Sequence, residues 1–463
     1  MTRPALSASD WAGDIAILRR AYSAIHPGLY RYATPGEVAA RFDALEADFA
    51  KTTDLRSAYL TLSRFLATVK CGHTYANFFN QSDKVSAALF GGRDKVPFEF
   101  RWLGARMIVT ENRSREARLV PGTDVLAING RPVAAILNEL MAFARADGGN
   151  DAKRRALLEV RGVDTYETFD VFFGLLYPAS AYRLTVRLPG QAAESVLDVS
   201  ALDLAERQSA QRKPAAKDAA KWTLVFPAER TALLTMPGWV MYDTKWNWRG
   251  FLDATFAEMK DRRATGLIVD LRENEGGNDC GDEIIARLID RDLPLEAYER
   301  RVRYRRTPSD IDAYLDTWDP SFKTLGEKAE DIGGGFLRLP VNPETQNVIR
   351  PKGPRFTGKV AVLTSAQNSS ATFQFASTIK ANRLARLVGE ATGGNQRGIN
   401  GGAYFFLRLP ASGLEADLPL IGFFPRGPKP DAGLEPDVAV ALTVEDIAAR
   451  RDSVLAAALR LVG

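Results

Sequence analysis

The hydrophobic pattern of this 463-residue chain changes twice, and each change marks a different kind of secondary structure. Residues 1–88 repeat apolar side chains at helical spacing, residues 89–202 form short alternating runs, and residues 203–463 alternate apolar strands with amphipathic helices. The last pattern is typical of an α/β domain. We therefore predict a multidomain α+β protein with an N-terminal helical region, a β module and a C-terminal α/β domain.

The N-terminal region is predicted to contain three helices. A Pro-Gly pair at 27–28 ends the first, Thr34 caps the second with Pro35 at its first helical position, and the third runs over about 55–69. His26 falls at the end of the first helix. Its cationic form would suit the helix dipole there, so we interpret His26 as a structural residue.

One stretch of the β module, residues 119–133, carries a turn motif. A Pro-Gly turn at 121–122 leads into a strand, and an Asn-Gly turn at 129–130 leads into a helix. This arrangement resembles the central motif of PDZ domains, which bind extended peptide segments at the edge of a sheet. An unrelated β-hairpin is the alternative interpretation. The polar residues 203–221 predict a linker or an exposed helix before the last domain.

The charge and cysteine content exclude several classes of protein. The formal net charge is only +4, with basic and acidic side chains interleaved, so no nucleic-acid partner is expected. No apolar stretch reaches membrane-spanning length, and the first residues lack the apolar core of a signal peptide. We therefore expect either a cytoplasmic protein or an exported one whose leader has been removed. Cys71 and Cys280 are too few for a disulfide scaffold or a four-ligand metal site, and we predict two buried free thiols.

The chain contains only two histidines, and this scarcity limits the side chains that could act as a base near neutral pH. The second, His73, lies in the sequence Cys-Gly-His-Thr at 71–74, a break of small residues after an apolar segment. A histidine that only packs or caps is the plain interpretation. A serine in a strand-to-helix turn elsewhere in the chain would give His73 a catalytic partner.

Three junctions in the α/β part join an apolar strand to a polar or glycine-rich turn, where reactive groups tend to collect in such sheets. The first, 269–278, contains two adjacent glycines whose N–H groups no side chain covers, although a plain turn has the same sequence pattern. The second, 360–372, offers Ser369 and Ser370 at the start of a helix, where either could also be a simple helix cap. The third runs over 388–396.

Taken together, these segments resemble the tail-specific, or C-terminal-processing, serine protease family, in its tricorn-core-like, histidine-base branch. Seven segments carry the resemblance in the family's order: 26–30, 72–74, 119–133, 266–278, 370–380, 387–394 and 433–438. The resemblance implies a C-terminal domain of the Clp protease and crotonase type and hydrolysis of peptide bonds with no metal and no cofactor. Ser370 would be the nucleophile, His73 the general base, and the backbone N–H groups of Gly277 and Ala371 the oxyanion hole.

A lysine is the base in the other branch of this family, so lysine must be weighed against His73. The position of that lysine is best matched by Asn395. Lys380 lies on the same predicted helix as Ser370, and the helical rise would separate their backbones by about 15 Å. Histidine is therefore the preferred base.

Two positions depart from the family's pattern. Phe373 stands where a glutamate usually follows the nucleophile, and Pro430 stands where a glutamate orients the histidine. Asp431 is adjacent and acidic, so we predict that it orients His73, with a solvated loop aspartate as the alternative. These departures concern the strength of catalysis more than the fold.

The main alternative function is non-catalytic binding of peptides or lipophiles, because retinoid-binding relatives keep the same architecture. The presence of both His73 and Ser370 argues against it. An acyl-CoA enzyme of the crotonase type is a third hypothesis, although the sequence offers no distinct adenine or pyrophosphate site. We expect a peptide or an unfolded protein as the partner, and the sequence makes no prediction of the oligomeric state.

Overall fold

The computed structural model describes residues 8–52, 54–211, 221–242, 244–295, 298–340 and 348–463. They form two compact units, each assembled from three stretches of chain. Unit 1 holds the described residues of Met1–Gln211, Tyr298–Pro340 and Gly398–Arg426. Unit 2 holds those of Arg212–Ala297, Val341–Arg397 and Gly427–Gly463. The mixed α+β class is confirmed, and the domain boundaries at 88/89 and 202/203 stay predictions.

The helices of the described ranges are α1 (Ala8–Ile25), α2 (Pro35–Phe49), α3 (Leu55–Ala67), α4 (Asp83–Phe90), α5 (Val133–Leu140), α6 (Asp151–Leu157), α7 (Thr168–Leu176), α8 (Leu204–Ser209), α9 (Trp248–Asp261), α10 (Cys280–Ile285), α11 (Ser370–Ala381), α12 (Val444–Ala448) and α13 (Ser453–Val462). Two short 3-10 helices span Asp312–Tyr314 and Pro320–Thr324.

The strands of the same ranges are β1 (Phe98–Leu103), β2 (Arg106–Asn112), β3 (Asp124–Ile128), β4 (Arg131–Pro132), β5 (Ala181–Arg187), β6 (Glu194–Ser200), β7 (Thr223–Ala228), β8 (Thr231–Thr235), β9 (Gly266–Asp270), β10 (Leu293–Pro294), β11 (Glu299–Val302), β12 (Leu315–Asp316), β13 (Glu330–Gly333), β14 (Phe336–Arg338), β15 (Val348–Ile349), β16 (Lys359–Thr364), β17 (Arg386–Gly389), β18 (Asn400–Arg408), β19 (Glu415–Phe424) and β20 (Val438–Ala439).

Two of the predicted helix signals in unit 1 are confirmed, the cap of α2 and the end of α1. The hydroxyl of Thr34 accepts the N–H of Glu37 at 3.2 Å, and the Glu37 carboxylate accepts the N–H of Thr34 at 2.7 Å. This reciprocal cap fixes the start of α2, and a cap of this kind contributes about 1 kcal/mol. The helix before it, α1, ends at Ile25, just ahead of Pro27.

Unit 1 contains two antiparallel sheets. The first has the strand order β1-β2-β3-β5-β6, with β4 paired to β3, and the second has the order β12-β18-β19-β11-β14-β13. One buried apolar cluster includes side chains from both sheets and from helices α1 to α5 and α7. Successive side chains of a strand point to opposite faces. In β18, Ala403, Phe405 and Leu407 are therefore buried in the core, while Tyr404 and Phe406 lie half-buried on the other face.

Unit 2 contains a six-stranded sheet with the order β20-β17-β16-β9-β8-β7, parallel except for the β7–β8 pair, and a separate antiparallel pair of β10 and β15. Alternate residues of its central strands face two separate cores. Leu267 and Val269 pack with apolar side chains of α9, α10 and α11, whereas Ile268 packs with those of α13. Helices thus cover both faces, which is why the central strands are apolar throughout.

The prediction of one α/β domain over 203–463 places the apolar runs near 404–409 and 417–424 in its sheet, but both strands lie elsewhere. They are present as β18 and β19, but they pair with each other in the second antiparallel sheet of unit 1. Their assignment to the α/β sheet is therefore wrong. The apolar alternation of a strand is the same in either setting, and the choice of sheet depends on partners distant in sequence.

Three smaller predictions have mixed outcomes. Both cysteines are free and buried, as predicted. Within the predicted linker at 203–221, helix α8 is present and residues 212–220 lie outside the described ranges. None of the helices in those ranges is long and apolar enough to cross a membrane.

Candidate active site

Ser370 is the first residue of helix α11 in unit 2. Its φ is 51°, in the left-handed region that residues other than glycine rarely occupy. Such a conformation costs about 1–3 kcal/mol and persists only where the surrounding contacts hold it. The residue at the N-cap, Ser369, makes no capping hydrogen bond, because its Oγ donates instead to the carbonyl of Glu275 at 3.1 Å. Ser369 is therefore not the helix cap that the sequence allowed.

The adjacent glycines of the first junction pack against this serine. A Cβ placed on Gly276 would lie 2.9 Å from Cβ of Ser370 and 3.0 Å from the backbone nitrogen of Ala371. Gly277 has a φ of 129°, and a Cβ there would lie 2.5 Å from the carbonyl carbon of Trp239. A side chain at either position would collide with neighbouring atoms, so both positions require glycine. The structure thus brings the predicted glycine turn and the predicted nucleophile together.

Two buried asparagines fix the turn against the start of the helix. Asn274 accepts the N–H of Gly276 at 2.9 Å and the hydroxyl of Thr372, in the first turn of α11, at 2.8 Å. Asn368 donates from its amide to the carbonyl of Asn274 at 3.0 Å, and its own carbonyl accepts the N–H of Gly394 at 2.9 Å. Because the side chains of Asn274 and Asn368 are buried and make these hydrogen bonds, they hold the three junctions in one arrangement.

Alanine at Gly276 should destabilise the protein more than alanine at another glycine that has a positive φ but no close neighbour. Gly427, also in unit 2, has a φ of 87°, and a Cβ added there would have no atom within 4 Å, so it is a matched control. We expect Gly427→Ala to lower the free energy of unfolding by about 1–2 kcal/mol. Gly276→Ala should cost roughly 2 kcal/mol more, because Ser370 must shift.

Urea unfolding of the two variants measures this difference. Equal losses of stability in both would show that contact with Ser370 does not constrain the turn.

Of the two departures from the family's pattern, the one at Phe373 has a structural explanation. Phe373 is 2% exposed and lies against Gly394, where a Cβ would be only 2.3 Å from its Cγ. It therefore acts as a packing residue that joins α11 to the third junction. Lys380, at the far end of the helix, donates its ammonium to the carbonyl of Glu435 at 2.6 Å and to Asp437 at 3.1 Å. Pro430 is exposed.

Asp431 and Asn395 form a direct pair in unit 2. The amide of Asn395 donates to the Asp431 carboxylate at 2.6 Å, and its side-chain oxygen accepts the N–H of Arg397 at 2.9 Å. Asn395 is fully buried, and Asp431 is half-buried. Asn395, which best matches the family's lysine position, therefore holds the carboxylate of Asp431, the residue predicted to orient His73.

His73 lies in unit 1, half-buried, on a loop that is held on both sides. Its ring centroid is 6.0 Å from that of Tyr404, and the two rings are tilted by 51°. Four hydrogen bonds hold the loop at 71–74: Gly72 N to Asp147 at 2.9 Å, Arg145 Nε to the Gly72 carbonyl at 2.8 Å, Asn400 Nδ2 to Cys71 Sγ at 3.3 Å, and His26 to Thr74 Oγ1 at 2.9 Å. The loop therefore presents the imidazole from a fixed backbone.

His26, the other histidine, is neutral rather than cationic. It is fully buried, and burial, together with the positive charge of Arg31, lowers its pKa from 6.5 to about 3. Its Nδ1 accepts the N–H of Gly28 at 3.0 Å, so the proton sits on Nε2 and is donated to Thr74. The expected interaction of a cation with the helix dipole is therefore wrong, because the interior disfavours the charge.

The lowered pKa of His26 makes stability depend on pH. Folded His26 stays neutral while unfolded His26 binds a proton below pH 6.5, so its contribution is full above pH 6.5 and is lost as the pH falls towards 3. Between pH 6.5 and 3, the free energy of unfolding therefore falls by about 1.4 kcal/mol for each unit of pH. We therefore expect His26→Gln to be less stable than the parent at pH 7.5, with a gap that narrows at pH 5.5 and 4.5. Urea unfolding at these pH values measures the gap, and a constant gap would contradict the neutral assignment.

Several residues that hold the candidate side chains within each unit were not predicted from the sequence. Asn274 and Asn368 hold the turn, and Asp147 holds the loop of His73. The only sequence signal for the asparagines is their place just after apolar strands, which many ordinary turns share. Asp147 has no signal, because its partner lies far along the chain.

Known proteins resemble this chain at the level of family and fold. Residues 230–439, which include Ser370, Gly277 and Asp431 but not His73, match the model of peptidase family S41. No curated protein sequence is significantly similar.

Solved structures resemble it over nearly its whole length. Mature CPAF in complex with lactacystin has a TM-score of 0.66 at 15% identity, covering 98% of this chain and 97% of that one. Another structure of mature CPAF has a TM-score of 0.60 at 14% identity, covering 95% and 94%. The photosystem II D1 C-terminal processing protease covers 98% and 97% at 15% identity, with a TM-score of 0.43. The CPAF structures show a shared fold. Residues 230–439 thus resemble peptidase family S41, and the predicted resemblance to a family of serine-type peptidases is confirmed.

Proposed function

We propose that this serine-type peptidase cleaves peptide bonds through an acyl-enzyme on Ser370, with His73 as the general base. The observation that carries the proposal is the left-handed conformation of Ser370 at the start of α11, in contact with Gly276. A sharp strand-to-helix turn presents a serine hydroxyl outside the sheet, as nucleophilic serines require. The positive end of the helix dipole also favours negative charge there.

The reaction would proceed by proton transfer and acyl transfer. His73 takes the proton of Ser370 as Oγ bonds to the peptide carbonyl carbon, and the carbonyl π electrons move to the oxygen. Collapse of this intermediate breaks the C–N bond, and the imidazolium gives its proton to the leaving amine. Water then attacks the ester by the same route, which releases the acid and restores Ser370.

The backbone N–H groups of Gly277 and Ala371 would stabilise the oxyanion. Ala371 lies in the first turn of α11, where N–H groups have no acceptor within the helix. Gly277 has no side chain to cover its own N–H. Donors of this kind are worth about 2.7–4 kcal/mol each in the transition state.

Asp431 is proposed to orient His73. The support is chemical: Asp431 is an acidic side chain, half-buried, and held by the buried amide of Asn395 at 2.6 Å. A fixed carboxylate can select the tautomer of an imidazole and stabilise its cation.

We also infer two finer features of the fold. The helix-covered parallel sheet of unit 2 supports the Clp protease and crotonase type for this part of the chain. The antiparallel sheet β1-β2-β3-β5-β6, with the Asn-Gly turn at 129–130 leading through β4 into α5, supports a PDZ-like module. Such a module would bind an extended segment of a peptide or an unfolded protein before cleavage.

A fluorophosphonate probe tests the proposed nucleophile. Folded protein should be labelled, and peptide mapping should place the label on Ser370. A chain that only binds peptides or lipophiles would not be labelled, and labelling that persists in Ser370→Ala would also defeat the assignment.

A further inference from the structure

An exposed tryptophan lies near His73 in unit 1. All seven tryptophans of the chain fall within the described ranges, and Trp318 alone among them is exposed, at 59%. Indole is a large apolar group, and burying it releases more water than burying almost any other side chain. An exposed tryptophan on a fixed backbone is therefore a typical centre of a binding surface.

Trp318 is part of an aromatic surface. Its ring centroid is 5.8 Å from that of Tyr404, 5.7 Å from that of Phe406 and 5.3 Å from that of Phe322. Tyr404 and Phe406 occupy the outward face of β18, where polar side chains are usual. We call Trp318, Tyr404 and Phe406 the aromatic platform.

The platform is held in place by backbone contacts. Strand β12, which ends two residues before Trp318, pairs with β18 so that Asp316 lies opposite Phe406. The hydroxyl of Thr317 donates to the carbonyl of Tyr404 at 3.0 Å. Trp318 is thus fixed by its neighbours, and a ligand would bind it at a small cost in conformational entropy.

The charges beside the platform are already paired. Arg408, on the same face of β18, binds Asp316 at 3.0 Å and Glu415 at 3.2 Å. One guanidinium faces two carboxylates here, so these three side chains keep a net negative charge and would not attract an acidic side chain of a ligand. The platform therefore suits an aromatic or large apolar group.

The distance to His73 sets which part of a substrate could reach the platform. The ring of Tyr404 is 6.0 Å from that of His73 and 5.8 Å from that of Trp318, so the rings of Trp318 and His73 are at most about 12 Å apart. An extended peptide advances about 3.3–3.6 Å per residue, so this upper limit corresponds to about three residues.

We propose that the aromatic platform is a substrate subsite, which binds an aromatic or large apolar side chain within about three residues of the scissile bond. This inference rests on the proposed function, since His73 marks the scissile bond only if it is the base. It assigns the substrate class as peptides with a bulky apolar residue at that distance.

The subsite can be tested with sets of peptides. Each set places tryptophan, leucine or alanine at one of the four positions on either side of the scissile bond. We expect the wild type to cleave the tryptophan or leucine peptides with a kcat/KM about tenfold above the alanine peptide at one of these positions. Trp318→Ala should reduce that ratio to about one, and Trp318→Phe should restore part of it. Phe79→Ala removes another exposed aromatic side chain of unit 1, and it should keep the wild-type ratio.

A binding measurement separates this inference from the proposed function. In a Ser370→Ala background, fluorescence anisotropy of the tryptophan-containing peptides should show about tenfold weaker binding of the tightest binder when Trp318→Ala is added. A wild type without a bulky-residue preference, or a Trp318→Ala variant that keeps it, overturns the subsite. If no peptide is cleaved and Ser370 is not labelled, the proposed function fails. The subsite is then tested by binding alone, and a Kd in the double variant equal to that of Ser370→Ala would overturn it.

Discussion

Substituting Ser370 by alanine is expected to lower kcat for peptide hydrolysis by about 10⁶-fold. The physical reason is that the variant has no oxygen to form the acyl-enzyme, so only direct attack by water remains. Cleavage of a fluorogenic peptide at saturating concentration measures kcat. Mass spectrometry during turnover of an activated ester should show a covalent acyl adduct in the parent and none in the variant.

Ser369→Ala is the matched control for this substitution. Ser369 is the adjacent serine, and its hydroxyl bonds to the carbonyl of Glu275, so its loss should cost about 1 kcal/mol of stability. We expect kcat to stay within about threefold of the parent, because no proposed step uses Ser369. An inactive Ser369→Ala beside an active Ser370→Ala would move the nucleophile to the neighbouring residue.

His73→Ala is the second variant with a large expected effect. Without a base the Ser370 hydroxyl keeps its proton, and we expect kcat/KM to fall by about 10⁴ to 10⁶-fold. The fold should persist, because His73 is half-buried and the loop at 71–74 is held by bonds from its other residues. Steady-state kinetics gives the rate, and circular dichroism with urea unfolding checks the fold.

The chain's only other histidine provides the control for this variant. His26 is buried and neutral, and it supports the same loop through Thr74, so His26→Gln should lower stability and reduce activity by no more than about tenfold. A His73→Ala variant with wild-type kcat/KM would exclude His73 as the base. Equal losses of activity in the two variants would instead assign both histidines to support of the loop.

Much of the local structure follows from signals within a few residues of each other. The cap of α2 needs only Thr34 and Glu37, and the central strands of unit 2 are apolar because helices cover both faces. The strand-to-helix pattern marked Ser369 and Ser370 as candidates, and only the resemblance to the family selected Ser370 as the predicted nucleophile. The features missed depend on distant partners, as in the pairing of β18 and β19 with β11 and β12.

The sequence by itself determined the order of helices and strands, the residue types at each strand-to-helix turn and the scarcity of histidine. Only the tertiary structure decided that His26 is neutral, that Ser370 has a left-handed backbone and that Trp318 stays exposed beside Tyr404. The physical reason is the distance along the chain between the residues that interact. Helix caps and apolar periods act between neighbours along the chain, whereas burial, strain and aromatic contacts depend on which distant segments pack together.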